Sequence, residues 1–115
     1  MTKMITGIDF GTAYMDLSED YFKLSDIVNY NGKSYFVDTC YAADVKALET
    51  MVFSIKKFLP ENYDPFEEPE KFEEMVEWGH ELFVTHHKDK SEARRVHMMV
   101  VENLRKYGEA KGALN

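Results

Sequence analysis

The sequence has few of the residues that staple small domains, and it lacks long apolar runs. Its single cysteine, Cys40, has no partner cysteine in the chain, which excludes an internal disulfide. No apolar run approaches the roughly 18 residues that indicate a membrane span, and no basic-then-apolar leader opens the chain. We therefore predict one cytoplasmic domain, 1–115, with no membrane role.

Basic side chains are also too few for a typical nucleic-acid-binding protein. The chain has 14 Lys and Arg residues against 21 Asp and Glu residues, a net charge of −7. Affinity for phosphate backbones comes largely from Lys and Arg side chains that displace counterions, so an acidic protein begins with repulsion. We predict no direct binding of nucleic acid, and a basic protein is the partner that suits this charge.

The net charge belongs to one short stretch, residues 61–77. This stretch contains eight of the 21 carboxylates and only one of the 14 basic side chains, so the rest of the chain is balanced. It also contains aromatic and apolar residues, which a disordered acidic tail would lack. We predict an ordered acidic surface that binds a partner through Tyr63, Asp64, Phe66, Glu67, Glu68, Glu70, Glu73, Glu74, Glu77 and Trp78.

Each part of this predicted surface also has a plainer interpretation. Clustered helix glutamates are usually a solvated face, and the rings of Tyr63, Phe66 and Trp78 would serve equally well to hold the segment against the sheet. Closely spaced carboxylates can bind Mg²⁺ or Ca²⁺, but the alternating acid-and-glycine loop of an EF-hand is missing. We predict neither a metal nor a cofactor.

Strand signals fill the middle of the chain. An Asn-Gly pair at 31–32 between two apolar runs is typical of a type I′ hairpin turn, because both central residues of that turn need a positive φ angle. The turn predicts strands at 25–30 and 33–41. Residues that favour strands predict two more, at 48–55 and 81–87.

A short acidic helix is predicted before the last strand. Pro69 suits the first position of a helix, and apolar residues at helical spacing follow it. The pattern predicts a helix over 69–78 that ends at Gly79, a residue that readily takes the left-handed conformation.

A longer helix is predicted at the C-terminal end. Ser91 or Asp89 can cap its start, and Gly108 provides its stop. Spacings of three and four residues place one group of side chains on the side that faces the sheet: Ala93, Val96, Val100, Leu104 and Tyr107.

Together these elements predict an α+β domain. Its core is an antiparallel β-meander of about four strands packed on the C-terminal helix, with the acidic helix inserted before the last strand. Residues 1–24 are an N-terminal extension, in which 4–10 favours an additional strand and 18–24 either a helical turn or a strand. An edge strand of this sheet would be free to pair with a second copy, so a homodimer is one expected assembly.

The four histidines, with Cys40, are the remaining candidates for chemistry. Their spacing matches no established metal motif, and the adjacent His86 and His87 point to opposite faces of a strand. His97 lies on the apolar face of the C-terminal helix, where we expect a hydrogen-bonded core histidine. The alternative to a binding protein is a small enzyme or ligand-binding domain with a pocket between sheet and helix, near His97, Cys40 and Asp38.

Short segments between residues 28 and 105 form a recognisable pattern. They are Asn31-Gly32-Lys33, Tyr35-Phe36-Val37-Asp38-Thr39-Cys40, Glu49-Thr50-Met51-Val52-Phe53, the predicted strand 81–87, and Ser91-Glu92-Ala93 with His97. The pattern resembles small uncharacterised proteins encoded by phages and integrated elements of Gram-positive bacteria. The resemblance implies a mobile-element origin and a sheet with one helix, but it brings no catalytic residues. The segment 56–77 and the first 25 residues depart from it.

These observations predict a non-enzymatic binding protein of phage or mobile-element origin. Its acidic surface would occupy a basic groove on a host protein and inhibit it. The nucleic-acid channel of a defence nuclease is a groove of this kind, since it is built to receive phosphate charge.

Overall fold

An antiparallel sheet organises the fold in the computed structural model, which describes residues 3–4, 22–42 and 45–110. Its strands lie side by side in the order in which they occur along the chain. They are β1 (Lys3–Met4), β2 (Lys23–Tyr30), β3 (Lys33–Ala42), β4 (Ala47–Ser54) and β5 (Phe83–His87). The helices are α1 (Pro69–Met75) and α2 (Lys90–Tyr107). The predicted α+β meander with an inserted acidic helix and a C-terminal helix is confirmed.

A tight hairpin sets the register of β2 and β3. Asn31 and Gly32 have φ angles of 52° and 80°, as the predicted type I′ turn requires, and Tyr30 pairs with Lys33 beside them. Of the predicted N-terminal elements, Met4 lies in β1 and β2 already begins at Lys23. Residues 5–10 and 18–21 of those two predicted segments lie outside the described residues.

One face of the sheet, which we call the helix face, is covered by α2. Asp89 caps this helix through a carboxylate that accepts the N–H of Glu92 (2.8 Å), and Gly108 ends it in the left-handed region at φ 73°. The predicted inward positions are buried except Tyr107, which is 65% exposed. Tyr107 lies in the last turn of α2, and Ala110 of the following segment is the residue buried in that core cluster.

The opposite face, which we call the loop face, is covered by residues 55–82 of the connection between β4 and β5. Helix α1 ends at Met75, so the predicted end at Gly79 is wrong. The reason is that Val76 takes an extended conformation and forms a β-bridge with Ile55. Within the described residues, no helix is long and apolar enough to cross a membrane.

Candidate functional site

Helix α1 is fixed to the sheet at both ends of the connection that carries it. The N–H of Lys56 donates to the carbonyl of Met75, and the N–H of Glu77 donates to the carbonyl of Ser54 at 3.0 Å. Earlier in the connection, the hydroxyl of Ser34 on β3 accepts the N–H of Leu59 at 2.9 Å. The connection is therefore attached to the sheet on both sides of α1, by the side chain of Ser34 at Leu59 and by a backbone hydrogen bond at Glu77.

The aromatic residues predicted for partner binding lie against the apolar core of the loop face. Trp78 packs edge-on against Phe36 and Phe53, with ring centroids 6.0 and 4.8 Å apart, and its indole N–H donates to the carbonyl of Glu73 (3.0 Å). Tyr63 stacks on Phe72, and Phe66 joins the same cluster. The three rings are partly buried, so they hold the acidic segment in place.

The predicted carboxylates fall into two groups. Five are exposed, namely Glu67, Glu68, Glu70, Glu74 and Glu77, and Glu73 is partly buried. We call these six side chains the acidic face. Asp64 differs from them, because it is partly buried and its carboxylate accepts the N–H of Phe66 (2.9 Å) in a local turn. Across residues 22–42 and 45–110, no Lys, Arg or His lies within ion-pair distance of the acidic face.

Glu61, at the start of the acidic stretch, has a structural role. Its carboxylate accepts the backbone N–H of Asn29 on β2 (2.9 Å) and a guanidinium N–H of Arg105 on α2 (2.8 Å). Burial acts to raise the pKa of Glu61, but these two donors outweigh it and the pKa lies below its ordinary value. The bond to Glu61 raises the pKa of Arg105 in turn. Glu61 therefore links the sheet edge to both covering layers.

A second group of polar side chains lies buried between the sheet and α2. His97 on α2 is hydrogen-bonded through Nε2 to Asp26 on β2 (2.8 Å) and through Nδ1 to Thr39 on β3 (2.7 Å). Thr39 contacts Thr50 on β4 (2.7 Å), and Thr50 contacts Nε2 of His87 on β5 (2.7 Å). These five residues, each no more than 6% exposed, form one hydrogen-bonded chain across four strands, which we call the polar relay.

An ionised carboxylate at Asp26 would give the relay one direction. Such a carboxylate can only accept, so Nε2 of His97 would donate to it and Nδ1 of His97 would accept from Thr39. Thr39 would then accept from Thr50, and Thr50 would accept from Nε2 of His87. The remaining nitrogen, Nδ1 of His87, would be left as an acceptor.

His87 also belongs to the lining of an open cleft of about 780 Å³ at the end of the sheet, and its side chain is 1% exposed. The cleft is lined by Tyr41, Lys46, Ala47, Leu48, His87, Lys88, Asp89, Lys90 and Ser91. Burial is the main cause that lowers the pKa of His87, and it outweighs the opposing influence of Glu92, whose carboxylate oxygen is 3.9 Å from Nδ1. His87 is therefore uncharged at neutral pH.

The structure does not bring His97, Cys40 and Asp38 to the same side of the sheet. Cys40 and Asp38 point to the loop face, whereas Thr39 between them points to the helix face and bonds His97. Asp38 is instead paired with Lys23 on β2, with 3.0 Å between Nζ and Oδ1 and both side chains no more than 1% exposed. Cys40 is buried and forms no disulfide.

The histidine predictions hold more closely. His97 is the hydrogen-bonded core histidine that the helix pattern predicts. His86 and His87 face opposite sides of the sheet, and His86 pairs with Glu49 on β4 (2.9 Å). In the described part of the chain, no three His, Cys, Asp or Glu side chains are grouped so that they could hold a metal ion.

Sequence reasoning did not single out Asp26, Thr39 or Thr50 as members of a polar group. The signal for Thr39 was present, because it falls on the inward side of β3 between Val37 and Tyr41. The partner of each polar side chain depends on strand register and on the position of α2 over the sheet.

The acidic face and the polar relay are both carried by an antiparallel α+β fold. No protein-family model, no curated protein and no solved structure matches this chain. The function therefore has to be inferred from the geometry of the chain itself.

Proposed function

We propose that the protein is a non-enzymatic binding protein that uses the acidic face to engage a basic protein surface. One observation carries this proposal. Six glutamates lie on a segment that hydrogen bonds and packed aromatic rings hold against the sheet, and no cation among the described residues lies within ion-pair distance of them. A fixed arrangement of charge loses little side-chain and backbone freedom on binding, which favours affinity.

Repulsion within the acidic face supports a binding role. Glu70 lies three and four residues from Glu73 and Glu74 on α1. Like charges at helical spacings of four cost about 0.2–0.5 kcal/mol per pair. A basic partner would turn this local repulsion into attraction and would also speed encounter at low salt.

The partner class follows from the charge and from the resemblance to phage and mobile-element proteins. A groove built to hold a nucleic-acid backbone is lined by Lys and Arg, and an acidic face can compete for it. We therefore infer a cytoplasmic host protein that binds nucleic acid as the target, with a defence nuclease as the specific candidate and inhibition as the consequence.

The test is capture of host proteins by the full chain at low and high salt, followed by binding measurements with each purified candidate. The variant is Glu70→Lys, Glu74→Lys and Glu77→Lys, which reverses three exposed charges. A matched control reverses three exposed carboxylates elsewhere: Glu81, Glu102 and Glu109. Salt-sensitive binding that the first variant loses and the control keeps supports the proposal, and equal binding by both variants refutes it.

A specific observation also favours self-association through β5. Among the residues that the structure describes, this strand pairs with β4 alone and lies at the end of the sheet order. Natural edge strands are usually protected by lysine, proline or inward-pointing charges, and residues 82–87 contain no proline and none of Lys, Arg, Asp or Glu. Leu82 and Val84 are 57% and 48% exposed there.

The occupant we propose for this edge is a second copy of the chain in antiparallel orientation. Antiparallel pairing brings the Glu81 end of one β5 towards the Lys88 end of the other, whereas parallel pairing would place like charges together. Light scattering coupled to size-exclusion chromatography should show a concentration-dependent dimer that Val84→Lys abolishes. A monomer at every concentration tested would refute the pairing.

A further inference from the structure

The exposed side chains of β5 lie on the same side of the sheet as the acidic face. Val84 pairs with Met51 on β4, and Met51 pairs with Asp38 on β3, two residues from Phe36. Side chains two positions apart on a strand share a face. Phe36 packs against Phe72 of α1, with ring centroids 5.0 Å apart. Val84 and the helix that carries the acidic face therefore both belong to the loop face.

We propose that two copies joined through β5 present their acidic faces side by side, on one side of a continuous sheet, and that this paired surface fits a basic protein with two-fold symmetry. The inference rests on the proposed binding role of the acidic face and on the proposed antiparallel pairing of β5.

Antiparallel pairing of two identical edge strands fixes the symmetry of the dimer. The copies are related by a two-fold axis, because each strand makes to its partner the contacts that the partner makes to it. This axis stands perpendicular to the sheet, since the rotation reverses the strand direction within one sheet. Such a rotation exchanges the copies but leaves the loop face of each on the same side. Both acidic faces therefore lie on one side of the dimer, whichever residues of β5 meet at the axis.

The separation of the two acidic faces follows from the position of α1 over the sheet. The helix packs on Phe36 of β3, the third strand counted inwards from the paired edge. Five strand spacings, about 24 Å, then separate the two β3 strands. Phe36 pairs with Phe53, one residue beyond the pair of Val52 with Phe83 near the start of β5, so the rotation also offsets the copies along the strands. Before the sheet twist is included, the two faces lie on the order of 30 Å apart.

Repulsion between the two acidic faces does not oppose the pairing at physiological salt. Charges are screened over about 8 Å at 0.15 M ionic strength, which is far less than the separation of the faces. At the seam itself, the Glu81 end of each β5 approaches the Lys88 end of the other. The dimer therefore collects two sets of six glutamates on one side without bringing the sets into contact.

The symmetry of the paired surface defines the kind of partner. A protein that contacts both acidic faces in the same way must have a two-fold axis of its own, because the faces are related by one. Dimeric proteins that bind duplex DNA meet this condition, since they present two basic surfaces about 34 Å apart to successive turns of the duplex. The separation of the acidic faces is of the same order. Once one face is bound, the second contact is intramolecular, so the dimer gains affinity over a single face.

The experiment uses arginine peptides as probes, titrated by calorimetry at low salt into the full-length protein. The single probe is a tetra-arginine peptide. The double probe has two tetra-arginine segments joined by a flexible Gly-Ser linker of about 20 residues, with a mean span of about 25 Å. The protein is used at concentrations where light scattering shows the dimer. We expect one double probe per dimer, and a complex with the mass of a single dimer.

Two matched variants separate the effect of pairing from that of charge. Val84→Lys disrupts the β5 edge, and Val45→Lys adds the same charge at a valine outside β5 that is 50% exposed. We expect Val84→Lys to bind the double probe at least about tenfold more weakly than Val45→Lys, with equal affinities of the two variants for the single probe.

The outcomes distinguish this inference from the proposals on which it rests. A dimer with no such gain, or one that the double probe joins into larger assemblies, would overturn the side-by-side arrangement and leave the binding role of the acidic face intact. A monomer at every concentration would overturn both the pairing and this inference. Single-probe binding unchanged by reversal of Glu70, Glu74 and Glu77 to lysine would refute the binding role itself.

Discussion

The two faces of the sheet are held by different physical means. The loop face packs apolar rings, with Phe36 and Phe72 at the centre of the cluster, and its outer surface carries the acidic face. The helix face has an apolar cluster at each end. The polar relay lies on this face too, between the sheet and α2. Apolar packing tolerates small shifts, whereas a chain of short hydrogen bonds requires one register of strands and helix.

The largest effect should come from the apolar side of this comparison. Phe36→Ala removes a ring with no exposed surface that contacts both Phe72 and Trp78. We expect a loss of about 3–5 kcal/mol in the free energy of unfolding, measured by urea denaturation. Val84→Ala is the control, since Val84 is 48% exposed. Similar losses for both variants would show that the loop face is not a packed core.

A break in the polar relay should lower the free energy of unfolding by less than Phe36→Ala does, but it should affect more than one residue. Thr39→Val removes one of the two hydrogen bonds of His97 and one of the two hydrogen bonds of Thr50, which we expect to cost about 1–3 kcal/mol in unfolding free energy. The same measurement on Thr50→Val and on the double variant should give a double cost smaller than the sum, because the two hydroxyls share one chain. Strict additivity would argue against a continuous network.

Acidification provides a third test, through His87. Because burial lowers the folded-state pKa of His87 below the ordinary value of 6.5, the unfolded chain binds a proton more readily than the folded one. Stability should therefore be full above pH 6.5 and fall as the pH drops towards the folded-state pKa, by at most about 1.4 kcal/mol per pH unit for each proton. Thermal melts at pH 7.5 and 5.5 should show this loss, and His87→Gln should reduce it. An equal loss in His87→Gln would assign it to other groups.

Loss of Glu61, which links the two covering layers, should change the free energy of unfolding by a smaller amount. Glu61→Gln weakens the bonds to Asn29 and to Arg105, whose side chain is 44% exposed, so we expect a loss of about 1 kcal/mol at neutral pH. The pKa of Glu61 is lowered in the folded state, so its contribution is present above the ordinary value of 4.5 and is lost as the pH falls through the folded-state pKa. Arg105→Gln combined with Glu61→Gln should add little to the single change.

The order of elements could be predicted from local sequence signals, because each signal acts within a few residues. The Asn-Gly turn at 31–32 fixed the first hairpin, and Asp89 with Gly108 marked the ends of α2. The end of α1 could not be predicted this way. Val76 leaves the helix to pair with Ile55, a residue 21 positions earlier in the chain, and that contact exists only after the connection folds back.

The two candidate sites also differ in how far local sequence signals predict them. The acidic face was predictable, since exposed charges keep their local character whatever the fold does. The relay was not, because its members come from four strands and α2, and Asp26 meets His97 across 71 positions of sequence. The rings of Tyr63, Phe66 and Trp78 lie between these cases: their clustering was visible, but their partly buried position depends on the core of the loop face.

The smallest effect on stability should accompany the largest effect on function. Reversal of Glu70, Glu74 and Glu77 to lysine changes exposed side chains with no ion pair among the described residues, so unfolding free energy should change by no more than about 0.5 kcal/mol per site. The most direct test of the account is the dissociation constant of this variant and of the unmodified protein for a purified basic host partner, measured across a salt series. We predict tight, salt-sensitive binding that the charge reversal abolishes. Binding of equal strength, unaffected by salt, would contradict a role for the acidic face.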